Sequence, residues 1–217
     1  MSGELIVIAG PMRADSAIVP PWTRTWGKTG AAIALCWEAE KQYGPGAAIA
    51  IQPAKNTRDG GELVARSGER YPATVIEDAY QITSTLARSP ARLVVIEESH
   101  LWDDPQILIG SCAALRARGM RVVLLGIQRD HMGQPFEWWA LAQGVADKVH
   151  ELTGRCQCGR RSTRTFRHGL SNARVLVDDL GHYEGVCRVC WAICRLARWL
   201  RALCSVEGQR EERTLIR

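Results

Sequence analysis

The first 150 residues alternate short apolar runs with stretches of helical character. Glu4–Ala9 is β-prone and stops at Gly10; Ala47–Gln52, Arg92–Ile96 and Arg121–Leu125 repeat the pattern. Runs this short and this continuously apolar predict parallel strands buried on both faces. Between the first two, Lys28 to Tyr43 is Ala-rich, free of Pro and closed by Gly44-Pro45-Gly46, which predicts a helix. Strand alternating with helix implies βαβ crossovers, hence an α/β domain with a mainly parallel sheet flanked by helices on both faces.

After Thr153 the texture changes. Segments shorten and are broken by Gly and Cys, with strand-like stretches at Thr163–Arg167 and Arg174–Val177. The boundary falls near residue 150, giving a domain of residues 1–150 and a smaller one of 151–217. A terminal helix is expected from Arg188 to Leu203. Its apolar stripe of Val189, Ile193, Leu196, Leu200 and Leu203 lies opposite Arg195, Arg198 and Arg201. The simplest use of that stripe is to dock the helix on its own protein, with a subunit contact as the alternative. The polar tail Glu207–Arg217 is expected to fray.

Composition narrows the class without naming a chemistry. Hydrophobic residues make up 46% of the 217, which is enough for a real core. No apolar run is long enough to cross a bilayer, and Met1–Gly10 lacks the basic start of a signal peptide, so cytoplasm is the expected location. Net charge is +5, concentrated at the end: from Glu151 onward there are 13 Arg and no Lys against 7 acidic residues. Such a basic third faces either nucleic acid, the phosphates of a small substrate, or only solvent. Little aromatic interleaving accompanies it, which argues against stacking on bases.

Three groups of residues carry candidate chemistry. Gly27-Lys28-Thr29 follows a strand and opens a helix, as a phosphate-binding loop requires: Gly for close backbone approach, Lys for the β/γ-phosphates, Thr for Mg²⁺. The full G-x-x-x-x-G-K-T spacing is absent, because the only suitable first glycine is Gly10 and about twelve extra residues intervene, among them Pro20, Pro21 and Trp22. Prolines offer no N–H to a phosphate, so the insert cannot itself form the cradle, although it could bulge out while its ends rejoin. Glu97 and Glu98 follow the apolar run Leu93–Ile96 at a strand's carboxyl edge, where α/β sheets hold ligands. Glu97 can hold Mg²⁺ and Glu98 can take a hydroxyl proton; the alternative is two solvated acids. Finally, Cys156-x-Cys158 and Cys187-x-x-Cys190 supply four thiolates for a structural zinc, with unmetallated or redox-active thiols as the alternative. Cys36 and Cys112 lie in apolar helical contexts and are expected in the core, while Cys194 and Cys204 belong to the terminal helix.

In order along the chain, these pieces resemble the thymidine kinase family of the zinc-ribbon (type II) kind. Gly10-Pro11-Met12 and Gly27-Lys28-Thr29 match the two ends of that family's G-P-M-[FY]-[SA]-G-K-[ST]. Gln52-Pro53-Ala54-Lys55-Asn56-Thr57-Arg58 resembles its K-P-x-x-D-x-R segment. Glu97-Glu98-Ser99-His100-Leu101-Trp102 aligns with D-E-[AG]-Q-F-F. Gly126 to Phe136 aligns with G-L-D-x-D-F-x-x-x-P-F, Ala146 to Thr153 resembles the lead into the ribbon, and Tyr183-Glu-Gly-Val-Cys187-Arg188-Val-Cys190 matches Y-x-x-V-C-R-x-C.

The resemblance implies a P-loop (RecA-like) sheet followed by a small zinc-ribbon domain with a lasso loop. It implies phosphorylation of the 5′-hydroxyl of thymidine or deoxyuridine by ATP with Mg²⁺, in a homo-oligomer that is a tetramer in most of the family. Glu98 matches the general base. Gly10, Pro11, Met12, Gly27, Lys28, Thr29, Arg58, Glu97, Ser99 and His100 match the ATP and phosphate site, with Thr29 and Glu97 at Mg²⁺. Leu101, Asp130, His131, Phe136 and Tyr183 fall on the nucleoside site, and Cys156, Cys158, Cys187 and Cys190 on the zinc. The chain departs at Glu97 (a longer acid), at Leu101 and His131 (each in place of a phenylalanine), and at Asp178–Gly181, where a Gly-Gly turn is usual. Beside an active kinase, two readings therefore stand: a degenerate nucleotide-binding relative, and a zinc-ribbon nucleic-acid-binding module.

Overall fold

The computed structural model describes residues 3–14, 27–58, 60–169, 173–177 and 182–199. The readings made for Pro20, Pro21, Trp22, Asp178–Gly181, Leu200, Arg201, Leu203, Cys204 and the tail lie outside them. Strands β1 (Glu4–Ala9), β2 (Ala48–Pro53), β5 (Leu93–Ile96) and β6 (Arg121–Gly126) coincide with the apolar runs to within a residue or so, as does helix α1 (Gly27–Tyr43). They form a seven-stranded sheet with β3 (Glu62–Val64), β4 (Arg70–Ile76) and β7 (Lys148–Glu151), in the order β3-β4-β2-β5-β6-β1-β7. Every pairing is parallel except β3 with β4.

Local chemistry explains where the elements stop and start. Helix α1 ends at Gly44, whose φ of 94° is the left-handed conformation that closes a helix; its N–H bonds the Glu40 carbonyl. Helix α3 (Pro105–Ala117) opens with Asp104 accepting from the Ile107 N–H at 3.0 Å and with Pro105 at its first position. Helix α2 (Gln81–Thr85) is a single turn, and α4 (Glu137–Val145) follows β6. One core packs Ile33, Leu35 and Cys36 of α1 against Ile8, Val95 and Leu125; the other packs Leu108, Cys112 and Trp138 against Val7, Ile96 and Leu124. Cys36 and Cys112 are core residues, as expected. Among the described residues no helix is long and apolar enough to cross a membrane.

The chain leaves the sheet at Leu152, whose N–H still bonds Ala9. Two small antiparallel pairs follow: β8 (Gly154–Arg155) with β9 (Arg161–Ser162), and β10 (Arg164–Arg167) with β11 (Tyr183–Val186). Here two expectations need correction. Arg174–Val177 is not a strand, because its groups are engaged elsewhere: Leu176 donates its N–H to the Tyr183 hydroxyl at 3.0 Å, and the Arg174 side chain reaches Asp130. Helix α5 (188–199 as described) does not dock through its apolar stripe. Val189, Ile193 and Leu196 are 52%, 60% and 57% exposed, while Trp191 and Arg195 donate to the His131 and Met132 carbonyls. Besides those two bonds, the helix is held by Cys190, Trp191 and Cys194, which pack against Cys156, Phe166, Val186 and Cys187.

Candidate active site

The interrupted glycine loop rejoins in space. A Cβ on Gly27 would lie 2.6 Å from the Ala14 carbonyl oxygen, so the two residues flanking 15–26 touch. Skipping those twelve residues, Gly10-Pro11-Met12-Arg13-Ala14-Gly27-Lys28-Thr29 runs in the G-x-x-x-x-G-K-T order that the linear sequence lacks. Arg13 (φ 55°) and Gly27 (φ 74°) are both left-handed, the kind of backbone that turns N–H groups into an anion-binding concavity. Lys28 Nζ rests on the Pro11 and Gly10 carbonyls at 3.0 and 3.4 Å. Burial lowers the Lys28 ammonium to about 8, against the pull of Glu98 and Glu97.

A deletion tests this geometry. Removing residues 15–26 and joining Ala14 to Gly27 is expected to leave folding intact and ATP bound at least as tightly, since closing a dozen-residue loop costs about 2 kcal/mol that the shortened chain is spared. Calorimetric titration with ATP and Mg²⁺ checks it; loss of folding or of binding would make the segment integral to the loop.

The paired acids meet this loop from the end of β5. Glu97, 5% exposed, accepts a hydrogen bond from the Thr29 hydroxyl, so two hard oxygen donors of the kind Mg²⁺ takes stand together. Glu98 adopts φ 49°, ψ 45°, a left-handed state that costs an ordinary residue about 1–2 kcal/mol. Its carbonyl accepts from the Leu101 N–H, which closes a short 3-10 turn at Ser99–Leu101. Arg58 Nη2 donates to Glu98 Oε1 at 2.5 Å, and Arg58 Nε donates to Asn56, which in turn donates to Gln52 on β2. His100 Nδ1 lies 3.4 Å from the other carboxylate oxygen. Burial favours the neutral carboxyl, but His100, Arg58 and Lys28 outweigh it and hold Glu98 below the usual carboxylate value. His100 itself is pulled down to about 4 by burial, with Glu98 opposing.

Beside Glu98 lies an open-sided cavity. Leu101, Asp130, His131, Phe136 and Tyr183 all line it, together with Met12, Arg58 and His100. Sequence reasoning missed Ile127, Arg129, Thr165 and the run Arg174–Val177, which complete its wall. Ser99 is not part of that wall; it sits beneath Gly126, beside a neighbouring depression. Asp130 lines the cavity, yet its carboxylate is spent on the loop, accepting from the Met132 and Gln134 N–H groups (2.9 Å each) and from Arg174 Nε (3.0 Å).

The four cysteines converge. The sulfurs of Cys156, Cys158, Cys187 and Cys190 all lie within 4.8 Å of one another, and Cys158 and Cys187 are 3.7 Å apart. Four thiolates at about 2.3 Å from a tetrahedral zinc stand about 3.8 Å apart, so the cluster fits the ion. The Cys190 N–H points at Cys187 Sγ at 3.4 Å. The ribbon is also fastened to the phosphate loop: Thr165 accepts from the Met12 N–H at 3.0 Å, and a side chain on Gly185 would strike the Met12 carbonyl at 2.7 Å.

A parallel sheet with a glycine loop, its Lys and Thr, and paired acids at a nearby strand end defines the class of P-loop nucleotide-binding proteins. The family model described as thymidine kinase matches residues 27–191, and the chain belongs to that family. The match begins at Gly27, directly after the segment that splits the loop. The chain is 33% identical to a thymidine kinase of Roseiflexus sp. (strain RS-1) over 152 residues, 66% of this chain and 78% of the relative. It is 32% identical to that of Roseiflexus castenholzii over 68% and 80%, and 27% identical to that of Mesomycoplasma hyopneumoniae over 61% and 71%.

Proposed function

We propose that this chain transfers the γ-phosphoryl group of ATP to the 5′-hydroxyl of thymidine or deoxyuridine. The observation that carries the reading is the rejoined loop, with Lys28 and Thr29 at its mouth, Glu97 on Thr29, and Glu98 facing the cavity that Leu101, Phe136 and Tyr183 line. The thymidine kinase family match and the relatives of that name supply the substrate class.

In this reading Glu98, kept ionised by the cations around it, takes the proton from the 5′-hydroxyl. The freed oxygen forms a bond to the γ-phosphorus while the bond from phosphorus to the β,γ-bridging oxygen breaks, and ADP leaves. Lys28 moves from the loop carbonyls to the phosphates and offsets charge on the transferring oxygens. Thr29 and Glu97 would hold Mg²⁺, which when bound neutralises further phosphate charge. Cys156, Cys158, Cys187 and Cys190 would hold a structural zinc that fixes the ribbon wall of the cavity.

ADP formation by purified protein with thymidine, deoxyuridine or deoxycytidine tests the proposal. The first two should raise ADP release well above the rate with ATP alone. A folded protein whose rate none of the three changes would refute it.

A further inference from the structure

The run Arg174–Val177 belongs to the ribbon yet walls the cavity, facing Leu101 and Phe136 of the nucleotide-binding fold. No strand ladder holds it there. Two bonds tie it back to its own hairpin. The Ala173 carbonyl, just before it, accepts from Arg167 Nη1 at 2.6 Å, and Leu176 donates to the Tyr183 hydroxyl at 3.0 Å. Val175 packs against the edge of the main core. Arg174 makes the polar link across the cavity, to the loop that follows β6. Its Nε donates to Asp130 Oδ2 at 3.0 Å and its Nη2 to the Pro135 carbonyl at 2.7 Å, while its guanidinium lies 4.5 Å over the Phe136 ring.

The two oxygens of Asp130 divide the work. Oδ1 accepts from the N–H groups of Met132 and Gln134, 2.9 Å each, and so shapes the loop; Oδ2 takes Arg174. The Asp130 side chain is 4% exposed and that of Arg174 53%, so a buried carboxylate meets its counter-ion at the cavity rim. Such charge-assisted bonds are stronger than neutral ones. A planar guanidinium can engage an acid and a carbonyl at once while its flat face covers an aromatic ring; an ammonium cannot. Phe136 in turn lies 5.2 Å from His100, whose Nδ1 is 3.4 Å from Glu98. Arg174 thus bears on the wall that leads to Glu98.

We propose that Arg174 is a positioning residue for the nucleoside: through Asp130, Pro135 and Phe136 it fixes the ribbon wall of the cavity against the wall after β6. The inference rests on the kinase reading above. A cavity whose walls are already set apart correctly binds with less ordering, which favours affinity. Asp130 then serves the nucleoside through Arg174 and not by touching it.

The test measures thymidine affinity by calorimetry, together with kcat and ATP affinity, in the wild-type chain, Arg174→Ala, Asp130→Asn and the double variant. Asp130→Asn keeps an oxygen for the Met132 and Gln134 N–H groups and replaces the one that faces Arg174 with an NH₂ donor. Each single variant should bind thymidine about tenfold more weakly, the loss of one charge-assisted bond. The double variant should be little weaker than either, because both remove the same contact. ATP affinity and kcat at saturating thymidine should change little, a split that general loosening of the fold would not give. Unchanged thymidine affinity in Asp130→Asn, losses that multiply in the double variant, or an equal loss of ATP affinity would each overturn the inference. Should Asp130→Asn not fold, Arg174→Lys decides: it keeps the charge without the planar fork, and wild-type affinity in that variant overturns the proposal. Affinity is read without turnover, so a chain that binds thymidine and transfers no phosphoryl group fails the kinase reading alone. A chain that binds no thymidine, with or without ATP, overturns both.

Discussion

Replacing Glu98 with Gln is expected to lower kcat by about 10²-fold or more while thymidine still binds. The substitution preserves side-chain shape, and glutamine tolerates the left-handed backbone at this position about as well as glutamate does. What it removes is the charge that Arg58 neutralises and that makes the group a base. An alcohol is a poor nucleophile near neutral pH, so a step that needs its proton removed slows even when both substrates are bound. Steady-state turnover together with thymidine affinity separates the two effects. Normal turnover in Glu98→Gln would mean that another group takes the proton, and that the Gln52–Asn56–Arg58 chain holds Glu98 for some other purpose.

Removing zinc is the second large effect. Among the described residues the ribbon's own core is small: Cys156, Phe166, Val186 and Cys187, with Cys190, Trp191 and Cys194 packed against it, so two of these four buried members are themselves metal-ligand candidates. Structural zinc in segments of this size contributes about 10–16 kcal/mol of binding that appears as folding free energy. One zinc per chain is therefore expected, lost in Cys187→Ser or under a strong chelator. Because β10 and β11 supply Thr165 and Tyr183 to the cavity, and Thr165 and Gly185 abut Met12, the loss should propagate. Amide exchange at Thr165 and Tyr183 should accelerate, with the strands of the parallel sheet still protected, and kcat/KM for thymidine should fall. A metal-free protein with unchanged protection in β10 and β11 would contradict this account of the cluster.

Much of the nucleotide-binding fold was legible because parallel strands buried on both faces are unbroken apolar runs, and β1, β2, β5 and β6 are of that kind. Strand β4 exposes most of its side chains, and β7 reads Lys-Val-His-Glu, so neither carries a hydrophobic period; backbone pairing and Asp147, which accepts from the Leu5 N–H, place β7. For α5 the sequence showed two faces but not which one turns inward, since that depends on carbonyls at His131 and Met132 more than fifty residues away. Asp130 and Arg174 are 44 residues apart and nothing in either neighbourhood foretells their pairing. The glycine loop is the clearest case. Its spacing looks broken along the chain because spacing counts residues, whereas phosphate binding depends on where Ala14 and Gly27 lie in space.

The central claim is that the rejoined loop and Glu98 together move a phosphoryl group onto a nucleoside, and ³¹P NMR of the purified chain with ATP, Mg²⁺ and thymidine tests it most directly. A new phosphomonoester resonance coupled to the 5′ protons of thymidine, growing in step with ADP, is the predicted result. ATP that stays intact, or that yields only inorganic phosphate, with the protein folded would contradict it.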